Sequence, residues 1–95
     1  MPAGAPLSKV KATRERGANV VLHGSVYDDA YAEACRIQQE TGATFIHPFD
    51  DPMVIAGQGT IGLEILDQLK DVDAVLVPVG GGGLISGVAY AIKRM

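Results

Sequence analysis

The sequence predicts an α/β fold in which parallel strands are joined by crossover helices. Three observations carry that reading. Residues 74–79 form an unbroken apolar run, the pattern of a parallel strand covered on both faces. Four glycines and then a stretch of helical periodicity follow at once. Two shorter β-type runs, at 19–23 and 43–46, alternate with helix-type segments upstream, and such alternation calls for right-handed crossovers.

Taken in order, residues 1–7 carry two prolines and are expected to be irregular, with Ser8 as N-cap of a short helix over 9–16 that Gly17 ends. Val20, Val21 and Leu22 form the first short strand, and Gly24-Ser25 turns the chain into a helix over 27–41. Asp28, Asp29 and Glu33 stand toward its positive end, Gly42 is its C-cap, and Ala30, Ala34 and Ile37 make a modest buried stripe flanked by Tyr31 and Cys35. After the second strand, His47-Pro48-Phe49-Asp50-Asp51-Pro52 is a break rich in turn formers and a place for a domain border. Asp51 and Pro52 then suit the N-cap and first position of a helix over 52–69, with Val54, Ile61, Ile65 and Leu69 on one stripe. Gly57, Gly59 and Gly62 weaken that helix by about 1 kcal/mol each relative to alanine, and close packing on a neighbour or a ligand explains them best. In the last helix Leu84, Val88 and Ile92 share a face beside Ile85, and Lys93 and Arg94 sit where the macrodipole favours cations.

Composition narrows the functions available. Ninety-five residues make at most one small domain. A net charge of −3, with no basic cluster interleaved with aromatics, argues against nucleic acid. No apolar run reaches the roughly 20 residues of a membrane helix. The single cysteine, Cys35, forms no internal disulfide and fits a reducing, cytoplasmic setting. His23 and His47 lack other ligand-type residues at metal spacing and read as structural or surface groups, as do Lys9, Lys11, Lys70 and Lys93. Asp50, Asp51, Asp71 and Asp73 read as caps and turn acids.

The chemistry concentrates in Gly80, Gly81, Gly82, Gly83 and the amide of Leu84. Without Cβ atoms, successive N–H groups converge on one anion, and the helix N-terminus adds unpaired donors and its positive end. A phosphate is the natural guest, and a flexible linker or a tight turn is the plainer alternative. Two other motifs mislead. Gly57-Gln58-Gly59-Thr60-Ile61-Gly62 matches a dinucleotide fingerprint, but the run before it is too short for its strand and no ribose-binding acid stands about 20 residues on. Arg14-Glu15-Arg16-Gly17-Ala18 echoes a Schiff-base lysine motif with arginine in the lysine's place, and arginine stays protonated.

Over nearly its whole length the chain resembles the threonine dehydratase and serine racemase family of fold-type II pyridoxal-phosphate enzymes. The likeness runs through Lys11-Ala12-Thr13-Arg14 and Gly17-Ala18. It becomes specific at His47-Pro48-Phe49-Asp50-Asp51-Pro52, Val54-Ile55-Ala56-Gly57-Gln58-Gly59-Thr60 and Val77-Pro78-Val79-Gly80-Gly81-Gly82-Gly83-Leu84. Within the family it is more similar to threonine ammonia-lyase than to racemase. The resemblance implies that Gly80, Gly81, Gly82, Gly83 and Leu84 wrap the phosphate of pyridoxal 5′-phosphate. It also implies that 1–46 belong to a small mobile domain and 47–95 to a larger cofactor domain.

By the same resemblance the Schiff-base lysine and a ring-contacting asparagine lie before Met1. The partner of the pyridine nitrogen and the metal-binding acids lie after Met95. The expectation is therefore an internal segment without catalytic residues of its own. Its parent is expected to be a homo-oligomer that converts L-threonine, and also L-serine, to a 2-oxo acid and ammonia, with isoleucine biosynthesis as one setting. The rival readings are a serine racemase-like segment, a complete nucleotide- or anion-binding α/β module, and a structural fragment without ligand.

Overall fold

The computed structural model describes residues 1–95 and divides the chain into two compact units, Met1–Phe45 and Ile46–Met95. Regular structure consists of four helices: α1 (Leu7–Glu15), α2 (Tyr27–Thr41), α3 (Pro52–Gln68) and α4 (Gly83–Arg94).

In the first unit, α1 starts earlier than its sequence suggests. Pro6, not Ser8, is the N-cap, and its carbonyl accepts from the amides of Lys9 and Val10 at 3.0 and 3.2 Å. Proline fixes the φ needed at that point, so Ser8 falls inside the first turn. Val10 anchors the helix at 4% exposure. Helix α2 has the expected limits, and Gly42 closes it at φ 71°, its N–H donating to the Gln38 carbonyl at 2.9 Å. At the other end the Asp29 carboxylate accepts from the amides of Ser25 (2.9 Å) and Val26 (3.3 Å) and from the Ser25 hydroxyl. These bonds satisfy donors that a helix start leaves open. An aromatic line covers one side, Tyr27 stacking on Tyr31 at 6.2 Å and Tyr31 meeting Phe45 edge-on at 5.6 Å.

The amide bonds from Ser25 and Val26 hold the Asp29 carboxyl below its ordinary value of 3.8. A depressed carboxyl contributes stability that is complete above the unfolded value and is lost as pH falls through the folded one. The start of α2 is thus expected to loosen only below about pH 4, read as titration of the Ser25 and Val26 amide resonances, and Asp29→Asn should flatten that titration. Arg36 donates to Glu33 and Glu40, lowering the Glu33 carboxyl and raising its own guanidinium, on the exposed flank of α2.

The three expected strands do not form: 19–23, 43–46 and 74–79 carry no regular secondary structure. A strand exists only through a ladder with a neighbour, and these runs are not paired with one another. One fragment of parallel pairing is present. The Met1 N-terminus donates to the Val21 carbonyl at 2.8 Å and the His23 amide donates to the Met1 carbonyl at 2.9 Å, bonds that straddle Leu22. The apolar run 74–79 is covered on one side only. Val75 and Val77 are half-buried along a groove shared with Ile61, Ile65, Leu84 and Val88, while Leu76 is 93% exposed.

The second unit is built on α3 against α4. Asp51 caps α3 as expected, its Oδ1 accepting from the Met53 amide at 2.8 Å, with Pro52 in the first turn. The expected stripe is only partly buried: Ile65 and Val54 are half-buried, whereas Ile61 and Leu69 are 39% and 63% exposed. The buried positions of α3 are Gly59 and Gly62. A Cβ on Gly59 would lie 3.0 Å from the Gly87 carbonyl oxygen, and one on Gly62 would lie 3.0 Å from that of Val88. The two backbones therefore touch, and Val88 beside them is 2% exposed.

Candidate functional site: the glycine turn at the start of α4

The glycine turn lies where the irregular segment 74–79 passes into α4. Gly82 is the N-cap, at φ 95° and ψ −2°, a left-handed conformation that glycine adopts without a Cβ clash. Its carbonyl accepts from the Ser86 amide at 3.0 Å and from the Ser86 hydroxyl at 2.6 Å. Because the helical ladder begins with that amide, those of Gly83, Leu84 and Ile85 have no acceptor within the helix. The positive end of a twelve-residue helix stands behind them.

The four glycines are there for different reasons. The space next to Gly81 is filled by the Phe49 ring, and a Cβ on Gly83 would sit 3.0 Å from the Phe49 Cα. Nothing lies within 4 Å of a Cβ on Gly80 or Gly82, so those two face open space. A cleft of about 250 Å³ opens beside Gly82, lined by Phe49, Asp50, Ile55, Gly81, Gly82 and Ser86, with Gly80, Gly83 and Leu84 outside its lining. None of these residues is cationic, and the Ser86 hydroxyl hydrogen is already donated to the Gly82 carbonyl, so an anion would be held by main-chain amides against the repulsion of the Asp50 carboxylate. That donor set fits a phosphate: neutral N–H groups at a helix start, an approach free of Cβ atoms, and a volume above that of the anion.

Gly80, Gly81, Gly82 and Gly83 are thus brought to one turn. The Leu84 amide joins them, while its side chain lines the separate groove along Val75 and Val77. Phe49 and Ser86 form part of the same wall and were not singled out by sequence. Ser86 could have been found from its place in the first turn after the glycines; Phe49 carries no local signal. His47, expected to be structural, accepts at Nδ1 from the amides of Phe49 (3.3 Å) and Asp50 (2.8 Å). His23 is elsewhere, on a cavity of the first unit that Glu33 also lines. The glycines of the false dinucleotide motif, Gly59 and Gly62, belong to the α3–α4 contact.

A glycine turn that leaves unpaired amides at a helix start fits an anion-binding segment, and comparison with known proteins specifies the family it occurs in. The chain belongs to the pyridoxal-phosphate dependent enzyme family, whose model matches residues 1–95. It is 65% identical over 95 residues to an L-threonine ammonia-lyase of Thermotoga maritima, covering 100% of this chain and 24% of that protein. It is 60% identical to the catabolic L-threonine dehydratase TdcB of Escherichia coli, covering 100% of this chain and 29% of that one. Among solved structures it superposes on the processed threonine deaminase isoform 2 of Solanum lycopersicum with a TM-score of 0.86 at 52% identity, over 100% of this chain and 26% of the other. Maize serine racemase gives a TM-score of 0.90 at 42% identity, over 98% and 28%. The chain spans about a quarter of the length of the curated relatives it matches.

Proposed function

We propose that this chain is the phosphate-anchoring segment of a threonine ammonia-lyase that converts L-threonine, and also L-serine, to a 2-oxo acid and ammonia. The observation that carries the reading is the glycine turn at the start of α4, set in a chain 65% identical throughout to an L-threonine ammonia-lyase. Pyridoxal phosphate, when bound, supplies the electron sink for chemistry at the substrate's α-carbon. In this proposal Gly80, Gly81, Gly82, Gly83 and the Leu84 amide hold its phosphate, and α4 orients the group. No residue of 1–95 is assigned a bond-making role.

The division into Met1–Phe45 and Ile46–Met95 supports a small mobile domain followed by part of a cofactor domain. The runs 19–23, 43–46 and 74–79 are read as strands of a parallel sheet once neighbouring strands pair with them. The bonds around Leu22 and the bare face at Leu76 support this. A homo-oligomeric assembly, a cytoplasmic setting and a place in isoleucine synthesis are further parts of the proposal. The relatives include both a catabolic dehydratase and a biosynthetic chloroplastic one.

A serine racemase-like parent is the second reading, favoured by the superposition on the maize racemase. The two are separated by supplying the full-length protein that carries this segment with pyridoxal phosphate and either amino acid. The proposal expects 2-oxobutanoate from L-threonine as the main product. Interconversion of L- and D-serine without 2-oxobutanoate would establish the second reading instead.

A further inference from the structure

The turn before α3 and the turn before α4 are built around each other. The three atoms nearest to a Cβ on Gly81 all belong to the Phe49 side chain. For Gly83 they are the Phe49 Cα, Cβ and carbonyl oxygen, at 3.0 to 3.1 Å. Two alternate glycines of the anion turn are therefore shaped to one residue distant in sequence, while Gly80 and Gly82 look into open space.

Phe49 is itself held. The His47 Nδ1 accepts from the amides of Phe49 and Asp50 at 3.3 and 2.8 Å, and the two rings meet edge to face at 4.6 Å and 89°. An Nδ1 that accepts is unprotonated, which places the neutral ring's proton on Nε2. The chain of contact runs from the His47 ring, through the Phe49 amide and ring, to the main chain at Gly81 and Gly83.

We propose that His47 and Phe49 are positioning residues of the phosphate site: His47 fixes Phe49, and Phe49 sets the course of the glycine turn and thereby the aim of its amides. The inference rests on reading that turn as the phosphate anchor, and it assigns neither residue a contact with the reacting atoms.

The test is amide spectroscopy of the full chain, first ligand-free and then titrated with inorganic phosphate. Phe49→Leu and His47→Ala are expected to move the resonances of residues 81–84 and to leave those of α2 in place. His47→Ala is expected to weaken phosphate binding roughly tenfold, the scale of coupling between groups in contact. His47→Asn should restore both readouts, because the asparagine Oδ1 takes the place of the ring acceptor. Gly81→Ala should disturb the turn strongly in the wild-type chain and little in a Phe49→Ala background, where the space is vacated. Unmoved resonances of Gly81 and Gly83 in Phe49→Leu, or a Gly81→Ala effect equal in both backgrounds, would overturn the inference. A wild-type chain whose residues 80–84 do not respond to phosphate overturns the anchor reading instead, while the ligand-free spectra still decide whether Phe49 shapes the turn.

Discussion

Gly87→Ala is expected to destabilise the second unit by about 3 kcal/mol or more, among the largest effects a single methyl group produces. A Cβ at this position would overlap the Ile55 carbonyl oxygen and lie 2.6 Å from the Gly59 nitrogen. Both are main-chain atoms of α3, so no rotamer change relieves the clash and one helix must move away from the other. The greater helix propensity of alanine, about 1 kcal/mol, offsets only part of this. Urea unfolding followed by circular dichroism measures the loss. Gly57→Ala is the control: it sits on α3 with nothing within 4 Å of its Cβ, and should stabilise by up to about 1 kcal/mol. Equal effects at the two positions would show that the backbones of α3 and α4 are not in contact.

Gly82→Asp is expected to weaken binding of inorganic phosphate roughly 100-fold, the order that charge repulsion a few ångströms from a partly exposed dianion supplies. Gly82 has open space around it and lines the cleft, so the new side chain would enter the volume the anion needs. Gly82→Asn has nearly the same shape without the charge and tolerates positive φ comparably. It separates repulsion from backbone strain and should retain most of the affinity that Gly82→Asp loses. Phosphorus resonance titration measures both. Identical losses in the two variants would mean that the turn had simply been distorted, and no loss in either would remove the anion from this turn.

What the sequence showed clearly was local chemistry. Gly42 and the Asp51-Pro52 pair mark helix ends because capping is decided by a few neighbouring residues, and both act as expected. The start of α1 departs from its sequence expectation because Ser8 has the stronger N-cap preference, while the fixed φ of Pro6 decides the geometry. The strands were out of reach for a different reason, since pairing depends on partners elsewhere in space. An apolar run such as 74–79 states its preference without supplying them. On α3 the apolar stripe pointed away from the tightest contact, because Gly59 and Gly62 carry no hydrophobic signal. Their small size was the clue that counted. At the candidate site the glycines announce themselves, whereas the fit of Phe49 to Gly81 appears only once the chain is folded.

The direct touch of α3 and α4 bears on what the proposed anchor at residues 80–84 can transmit. Side-chain packing leaves play, since rotamers hop and methyl groups slide, but two main chains in contact yield only by bending bond angles or tilting as whole rods. A load applied at the tip of α4 is consequently felt at the middle of α3 with almost no slack. Whatever is gripped there inherits the stiffness of the helix pair.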